Sequence, residues 1–175
     1  MLIRSHMNPE LIAVVDENDQ FIENQPRNKV HELGLRHRAV HILVFNDKQQ
    51  LFLQKRSLNK DINAGLWDTS AAGHVDAGET YAACAHRETI EELGVCVDST
   101  LAFLFKLPAI PETGMEFVQV YSSSHNGPFT LEAEEIEGGQ WFSIKDISQR
   151  VANNDQTLTD TFKTLWAKFE EKNHA

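Results

Sequence analysis

Residues 73–95 read GHVDAGETYAACAHRETIEELGV, a glycine-rich turn that leads into an acidic helix. At about 100° per residue, Glu88, Glu91 and Glu92 fall within an arc of roughly 100° on one helix face. Three like charges on neighbouring turns repel one another. A hard divalent cation such as Mg²⁺ turns that repulsion into attraction, because it prefers carboxylate oxygens. The stretch therefore predicts a metal-binding patch, against the simpler alternative of a solvated acidic face.

The other face of this helix is predicted to pack against a β-sheet. It is small and mostly apolar, as a packing face should be. Its members are Ala82, Ala85, Thr89 and Leu93. Cys84 lies within the same helix and is predicted to take part in packing rather than in chemistry.

The full spacing of this stretch resembles the Nudix box, the signature of the Nudix hydrolase family. The one departure is Thr89, on the packing face, where the family has an aliphatic residue. The resemblance implies an α/β fold, an α/β/α sandwich around a mixed β-sheet. It also implies a metal-dependent hydrolase that cleaves a diphosphate linkage. The matching positions are Gly73, Glu79, Arg87, Glu88, Glu91, Glu92, Gly94 and Val95.

Length and composition are those of an ordinary globular protein of 175 residues. We expect an N-terminal tail at residues 1–10, of which the first six are candidates for a vector-derived remnant, and a single domain at residues 11–175. The net charge of −10 argues against non-specific binding to nucleic acid or to an anionic membrane. The two cysteines provide no disulfide framework, which favours a reducing cytoplasm.

Outside the box, the sequence predicts strands mixed with a few helices. A β-hairpin is expected around a turn at residues 16–19, followed by a short helix at residues 28–33 that Gly34 closes. Further strands are predicted at residues 37–45, 50–55, 101–107, 117–122 and 140–144. Helices are predicted at residues 143–151 and 157–171, with loops between these elements.

Residues 11–147 also resemble the Nudix branch that is similar to type I isopentenyl-diphosphate isomerase. The resemblance rests on HRAVHILVF at 37–45, LFLQKRS at 51–57, GLWDTSAAGH at 65–74 and the QW of GGQW at 138–141. That isomerase moves a proton on an isoprenoid diphosphate, whereas most Nudix enzymes hydrolyse a diphosphate linkage. Two kinds of chemistry therefore compete.

Two observations favour hydrolysis. The isomerase needs a cysteine just before its Gly-His pair, where this chain has Ala72, and a methyl group cannot exchange a proton. The isomerase branch also loses acids from the Nudix box, whereas this chain keeps Glu88, Glu91 and Glu92.

The metal site of the isomerase is predicted to be dismantled here. That site uses two upstream histidines, the histidine after the glycine and two glutamates. His37, His74 and Glu116 can be matched to it, but His31 stands one position out of register and Gly114 replaces one glutamate.

The Nudix resemblance implies roles for the acids of the box. Glu88 and Glu92 are predicted to be the leading ligands of Mg²⁺ or Mn²⁺, since they lie one helical turn apart on one face. Glu91 is a third ligand or binds through water, and Gly73 contributes a backbone carbonyl. All three glutamates count as catalytic residues in this prediction.

Other residues are predicted to support the site. A salt bridge between Arg87 and Glu79 shapes the loop and orients the carboxylates. Arg56 and Lys60 resemble residues that hold the diphosphate in the isomerase branch, and both suit phosphate oxygens. His74 is a substrate-binding candidate, with metal ligation and a purely structural place in the turn as alternatives.

The general base is the least determined part of the prediction. Glu116 is the leading candidate, because it begins a strand and matches an active-site position of the isomerase-like branch. Glu134 and Glu135 are alternatives that are more typical of a solvated loop. His41 is predicted to be structural.

The predicted partner is a small-molecule diphosphate, nucleoside diphosphate-like in most of the family, with no nucleic acid and no membrane. A homodimer is a family-level expectation. Two alternatives stay open at this point: an isomerase-like enzyme, which Ala72 disfavours, and a non-catalytic Nudix-fold module that binds a metabolite. The complete acid set argues against the second, since a sensor has no evident need for three convergent carboxylates.

Overall fold

The computed structural model of this chain describes residues 9–97 and 100–174. The predicted vector-derived segment lies outside these residues. Strands β1 to β9 are Leu11–Val15, Phe21–Pro26, His37–Phe45, Gln50–Arg56, Trp67–Asp68, Ala71–His74, Ala102–Leu107, Glu116–Ser124 and Ile136–Ser143. Helices α1 to α4 are Arg27–Glu32, Tyr81–Leu93, Ile144–Ala152 and Asp160–His174, and a 3-10 turn covers Pro111–Thr113.

Strand β3 is the centre of a mixed sheet. It runs parallel to β8 over nine residue pairs and antiparallel to β6 over four. Single antiparallel pairs join it to β1 and β4, and β4 extends the sheet through β9. Strands β1 and β2 form the antiparallel hairpin that the sequence predicts. The apolar segment HRAVHILVF is thus a central strand because it is buried on both faces.

Helices cover both faces of this central strand. On one face, Val40, Ile42 and Val44 share a core with Cys84, Ala85 and Leu93 of α2. On the other face, the core joins β3 to α3 and α4. Its main members are Ala39, Leu43, Ile147, Phe162, Leu165 and Trp166. This arrangement confirms the predicted α/β/α sandwich around a mixed sheet. None of the described helices is long and apolar enough to cross a membrane.

Several element boundaries differ from the sequence prediction. Strands β5 and β6 lie in residues 67–74, a stretch that the sequence reads as a connection. Strand β9 begins at Ile136 rather than at residue 140, because its two glycines pair with β4 instead of forming a loop. Helix α4 begins at Asp160, three residues later than predicted, and the hydroxyl of Thr159 caps it by accepting from Phe162 N at 3.1 Å.

The packing face of α2 also differs in one residue. Ala82 lies in the first turn and is exposed, so its predicted place in the packing face is wrong. Ala85, Thr89 and Leu93 are fully buried as predicted, and Cys84 joins them. The hydroxyl of Thr89 donates to Ala85 O at 2.8 Å, which satisfies it inside the core. Threonine can therefore stand at an aliphatic position of the Nudix box.

Gly139→Ala is expected to destabilise the protein by about 1–3 kcal/mol, because the new methyl group overpacks the core. A Cβ atom at Gly139 would lie 2.1 Å from Phe52 Cζ. That ring is wedged against Phe129 and Trp141, with centroid separations of 4.6 and 5.3 Å. Urea unfolding measures the effect. Gly138→Ala is the matched control, since a Cβ there meets nothing within 4 Å; equal losses in both variants would contradict the packing argument.

Candidate active site

A cavity of about 530 Å³ brings together residues from β3, β4, β6, α2 and the start of β8. It is lined mainly by polar and charged side chains. Glu79 is not among its lining residues. The predicted site residues that do line it are Arg56, Lys60, Gly73, His74, Arg87, Glu88, Glu91, Glu92 and Glu116.

The acids of the box are placed by helix α2, whose ends the sequence specifies. The hydroxyl of Thr80 caps the first turn by accepting from Ala83 N at 3.2 Å, and Gly94 ends the helix in the left-handed conformation at φ 68°. Within this frame Glu88 and Glu92 are buried, whereas Glu91 is exposed at the cavity edge. The three acids line the same cavity, but they differ in their exposure to solvent.

Glu92 is held at the floor of the cavity by two donors. Gln54 Nε2 donates to its Oε2 at 3.0 Å, and the backbone N–H of Ala72 donates to Oε1 at 3.3 Å. Burial and the nearby charge of Glu88 nevertheless raise the pKa of Glu92 well above its ordinary value. Burial likewise raises the pKa of Glu88 to about 7, although Arg87 opposes the shift. A bound cation relieves both of these electrostatic costs.

Arg87 ties the glycine-rich turn to the helix. Its Nε donates to Glu79 Oε1 at 2.8 Å, and its Nη2 donates to the backbone oxygen of His74 at 3.1 Å. Its Nη1 donates to Glu88 Oε1 at 2.6 Å and to Glu91 Oε2 at 3.1 Å. One guanidinium group therefore contacts both the turn and two of the three box acids.

Gly73 allows the Glu88 carboxylate to lie directly against the turn. A Cβ atom at this position would be 2.1 Å from both Cδ and Oε1 of Glu88. Glycine is required here for close approach, since the backbone of residue 73 has no positive φ. The turn and the carboxylate thus form one wall of the cavity, which fits a divalent cation held between oxygens.

A second group of four candidate metal ligands lies at the same cavity, which three of them line. One ligand atom from each of His31, His37, His74 and Glu116 falls within 4.8 Å of all the others. The prediction that this histidine site is dismantled is therefore wrong for His31. Its place in sequence is out of register, but α1 and the following turn bring its ring to 5.0 Å from that of His74. Gly114 still stands in place of a second glutamate.

Two buried imidazole nitrogens in this group make no hydrogen bond within the described residues. His37 Nδ1 lies 2.8 Å from Leu35 O and so carries the proton, which leaves Nε2 with a lone pair 3.3 Å from Glu116 Oε1. The Nδ1 atom of His31 is also buried without a hydrogen bond. Burial lowers the pKa of His31 to about 4, so its ring is neutral. Two such lone pairs fit a metal ion, since imidazole suits transition metals.

Glu116 belongs to this histidine group. Its Oε1 lies 2.9 Å from His74 Nε2 and 3.3 Å from His37 Nε2. Burial acts to raise the pKa of Glu116, but the two imidazoles outweigh it and hold the pKa well below its usual range.

The predicted diphosphate-binding cations are both engaged within the chain. Arg56 donates through Nη2 to the backbone oxygen of Ile62 at 3.1 Å, and its Nη1 lies 3.9 Å from Asp68 Oδ2. Lys60 pairs with Glu135, so that half-exposed acid neutralises a cation at the cavity. Both cations line the cavity and would exchange these partners for phosphate oxygens.

Sequence reasoning missed several residues of the cavity. His31, His41, Gln54 and Asp68 line it, and the last three are buried. A signal for His41 exists in the strand pattern, because alternate residues of a strand share one face and His41 lies four residues after His37. Gln54 and Asp68 gave no such signal, because their contact with the site depends on how β4 and β5 pair.

Comparisons with known proteins agree with this fold. A family model described as the NUDIX domain matches residues 35–162. An uncharacterized Nudix hydrolase of Pseudomonas aeruginosa is 40% identical over 140 residues, covering 78% of this chain and 80% of that protein. A Deinococcus radiodurans protein solved at 1.9 Å has a TM-score of 0.80 at 26% identity, covering 91% of this chain and 98% of that one. The chain belongs to the Nudix family.

The relatives also indicate the branch within the family. An isopentenyl-diphosphate Δ-isomerase of Serratia proteamaculans is 31% identical over 159 residues, which is 89% of each chain. Relatives named as isomerases and relatives named as Nudix hydrolases thus both match most of this chain, as the isomerase-like branch of the family requires.

Proposed function

We propose that this protein is a Mg²⁺- or Mn²⁺-dependent hydrolase that cleaves a diphosphate linkage in a small molecule, nucleoside diphosphate-like in the first instance. One observation carries the proposal: Glu88 and Glu92 are buried side by side at the cavity wall, with Gly73 leaving room for the first of them. Buried charges are rare unless they are paired or coordinate a metal. The cavity thus has the acids that a divalent cation needs.

Different residues of this chain have different roles in the proposed hydrolysis. Glu88 and Glu92 would hold the cation, with Glu91 at the edge and the carbonyl of Gly73 beside them. A divalent cation bound there neutralises charge on the diphosphate and lowers the pKa of water. Arg87 keeps the acids oriented through its bonds to Glu79 and to the turn.

The basic residues of the cavity bind the substrate in this proposal. Arg56 and Lys60 would leave Ile62 O and Glu135 to grip phosphate oxygens. His74 contacts Glu116 and so serves the histidine group as much as the substrate. We therefore place Glu116 with the histidine group, since its carboxylate contacts two imidazoles of that group.

The histidine group favours one second candidate function, isomerization of an isoprenoid diphosphate. His31, His37, His74 and Glu116 supply a compact set of nitrogen and oxygen donors suited to a transition metal. The absent thiol at Ala72 opposes this candidate, because its methyl group cannot move a proton. Hydrolysis remains the better-supported function.

The proposal is tested with pure protein and a panel of nucleotide sugars, dinucleotides, nucleoside triphosphates and isoprenoid diphosphates. Phosphate or nucleotide release is measured with and without Mg²⁺ or Mn²⁺, and proton NMR detects any isomerized product. Metal-dependent release that Glu88→Gln loses supports the hydrolase. Isomerized product without release favours the second candidate. Tight binding without turnover indicates a metabolite-binding module instead.

The proposal also covers the cellular location and the oligomeric state of the protein. Cys84 and Cys96 are both free, as a reducing cytoplasm requires, and fractionation of cells tests that location. A homodimer is proposed from the family alone, and sedimentation of the pure protein tests it.

Metal binding is expected to strengthen about tenfold between about pH 6 and about pH 8. Burial, opposed by Arg87, raises the pKa of Glu88 from 4.5 to about 7. A carboxyl group with a raised folded pKa contributes stability below pH 4.5 that is lost as the pH rises through about 7. A cation must displace that proton, so acid weakens its binding. Calorimetric Mg²⁺ titrations at both pH values measure the effect; equal affinities would contradict it, and Glu88→Gln should reduce the difference.

A further inference from the structure

His41 is a buried cavity residue that the proposed function does not use. It lies at the centre of β3, is 5% exposed and lines the same cavity as the box acids. Its side chain points to the same face of the strand as that of His37. An imidazole has two ring nitrogens, and the hydrogen-bond partner of each determines which nitrogen carries the proton and which can accept one.

One of these nitrogens is fixed by a hydroxyl group. His41 Nδ1 lies 2.8 Å from Thr69 Oγ1 and 3.6 Å from Asp68 Oδ1. The hydroxyl proton of Thr69 is directed to the backbone oxygen of Ala71 at 3.2 Å. The hydroxyl oxygen therefore accepts from His41 Nδ1–H, and the nearby carboxylate favours the same tautomer. Nε2 is then left with a lone pair.

The other ring nitrogen, Nε2, is available to accept a proton. Within residues 9–97 and 100–174, His41 Nε2 has no hydrogen-bond partner, and it is not a sealed atom of the core. His41 stands directly opposite Ala72 in the antiparallel pair of β3 and β6. Side chains opposite each other on paired strands share a face at about 5 Å. The backbone N–H of Ala72 donates to Glu92, and His41 lines the same cavity as Glu88 and Glu92.

Four acids of the cavity are engaged in contacts within the chain. Glu116 is held by two imidazoles, and Glu135 pairs with Lys60. Glu88 accepts from Arg87, and Glu92 accepts from Gln54 and Ala72. The imidazole of His41 differs from these groups, since one nitrogen is held in place and the other has an open lone pair.

We propose that His41 is the catalytic base of the hydrolysis, an inference that rests on the proposed function. Nε2 takes a proton from the attacking water while the water oxygen forms a bond to phosphorus. The bridging P–O bond breaks, and its electron pair stays on the oxygen of the leaving group. The resulting imidazolium is stabilised by the Asp68 carboxylate 3.6 Å from Nδ1 and by the hydroxyl of Thr69. The arrangement follows the base-and-orienting-group pattern of many hydrolases.

Kinetics of two His41 variants test this role. His41→Asn keeps an N–H near the Nδ1 position for Thr69 but has no atom at Nε2, whereas His41→Gln keeps polarity near Nε2 without basicity. Both variants are expected to lose about 10²–10⁴-fold in kcat with KM little changed. His174→Asn, at an exposed site in α4, is the matched control and should retain full activity. A rise in KM with kcat unchanged, or full activity in both variants, overturns the proposal.

The tautomer of His41 supplies a test that does not depend on activity. In ¹⁵N-histidine-labelled protein, His41 should carry its proton on Nδ1, and its signal is assigned by its loss in His41→Asn. Adding Mg²⁺ and a methylene-bridged diphosphate analogue should shift the Nε2 resonance. A proton on Nε2, or no shift at an analogue concentration that saturates the protein, overturns the proposal. Absence of hydrolysis by the unaltered protein overturns the proposed function and the inference together, whereas an active His41→Asn overturns only the inference.

Discussion

Glu92→Gln should lower metal-dependent turnover at least about tenfold, which corresponds to about 1.4 kcal/mol of activation free energy. The amide has the shape of the carboxylate but lacks its charge, so it is a weak ligand for a hard cation. The fold should be kept, because Glu92 is buried with a raised pKa and a neutral group there relieves the cost of burying charge. The variant should therefore lose activity without losing thermal stability in the absence of metal.

The contrast between activity and stability makes this test sharp. Turnover is measured at saturating Mg²⁺, and the melting temperature is measured with and without the cation. Ligand binding to the folded state raises the melting temperature, so Glu92→Gln should also show a smaller Mg²⁺-induced rise. Glu17→Gln makes the same change at an exposed turn and is the control. Unchanged turnover in folded Glu92→Gln protein would remove Glu92 from the metal site.

Gly73→Ala should reduce turnover about 10²-fold, since a displacement of about 1 Å in a catalytic group can cost this much. Its methyl group would come within 2.1 Å of Glu88 Cδ and displace that carboxylate from the turn. The loss of stability should be smaller than in Gly139→Ala, because the end of a glutamate side chain moves more easily than a packed ring. Turnover and urea unfolding are measured on the same preparations.

A double-mutant cycle separates this explanation from a general disturbance of the turn. If the methyl group acts by displacing Glu88, adding Gly73→Ala to Glu88→Gln should cause little further loss, since residues in contact are not additive. Gly138→Ala serves again as a control for an added methyl group in open space. Additive losses in kcat would show that Gly73 acts on something other than Glu88.

The sequence was a good guide where local rules determine the outcome. The periodicity that predicts α2 is local, and so are the Thr80 cap and the Gly94 ending that the structure shows. The unbroken apolar run of β3 likewise predicts a buried strand. The sequence prediction failed where strand pairing determines the structure. Strands β5 and β6 are too short to show a residue pattern, and the glycines of β9 are typical of a loop unless β4 pairs with them.

The candidate site shows the same division. Helical periodicity alone brings Glu88, Glu91 and Glu92 to one side of α2, because residues three and four apart are neighbours on any α-helix. Spacing in the chain could not show that His31 lies close to His37 and His74, since the end of α1 and a turn separate it from both. Distance along the sequence is a poor measure of distance in space.

By itself, the sequence determined the family, the α/β/α sandwich and the set of acids that face the cavity. Only the tertiary structure decided that Glu88 and Glu92 are buried while Glu91 stays exposed, and that His41 lines the same cavity with one ring nitrogen free of hydrogen bonds. The physical reason is that a pKa and a hydrogen-bond partner depend on the surroundings of a side chain. Those surroundings are assembled from β3, β4, β6 and α2, which are separate segments of the chain that only folding brings into contact.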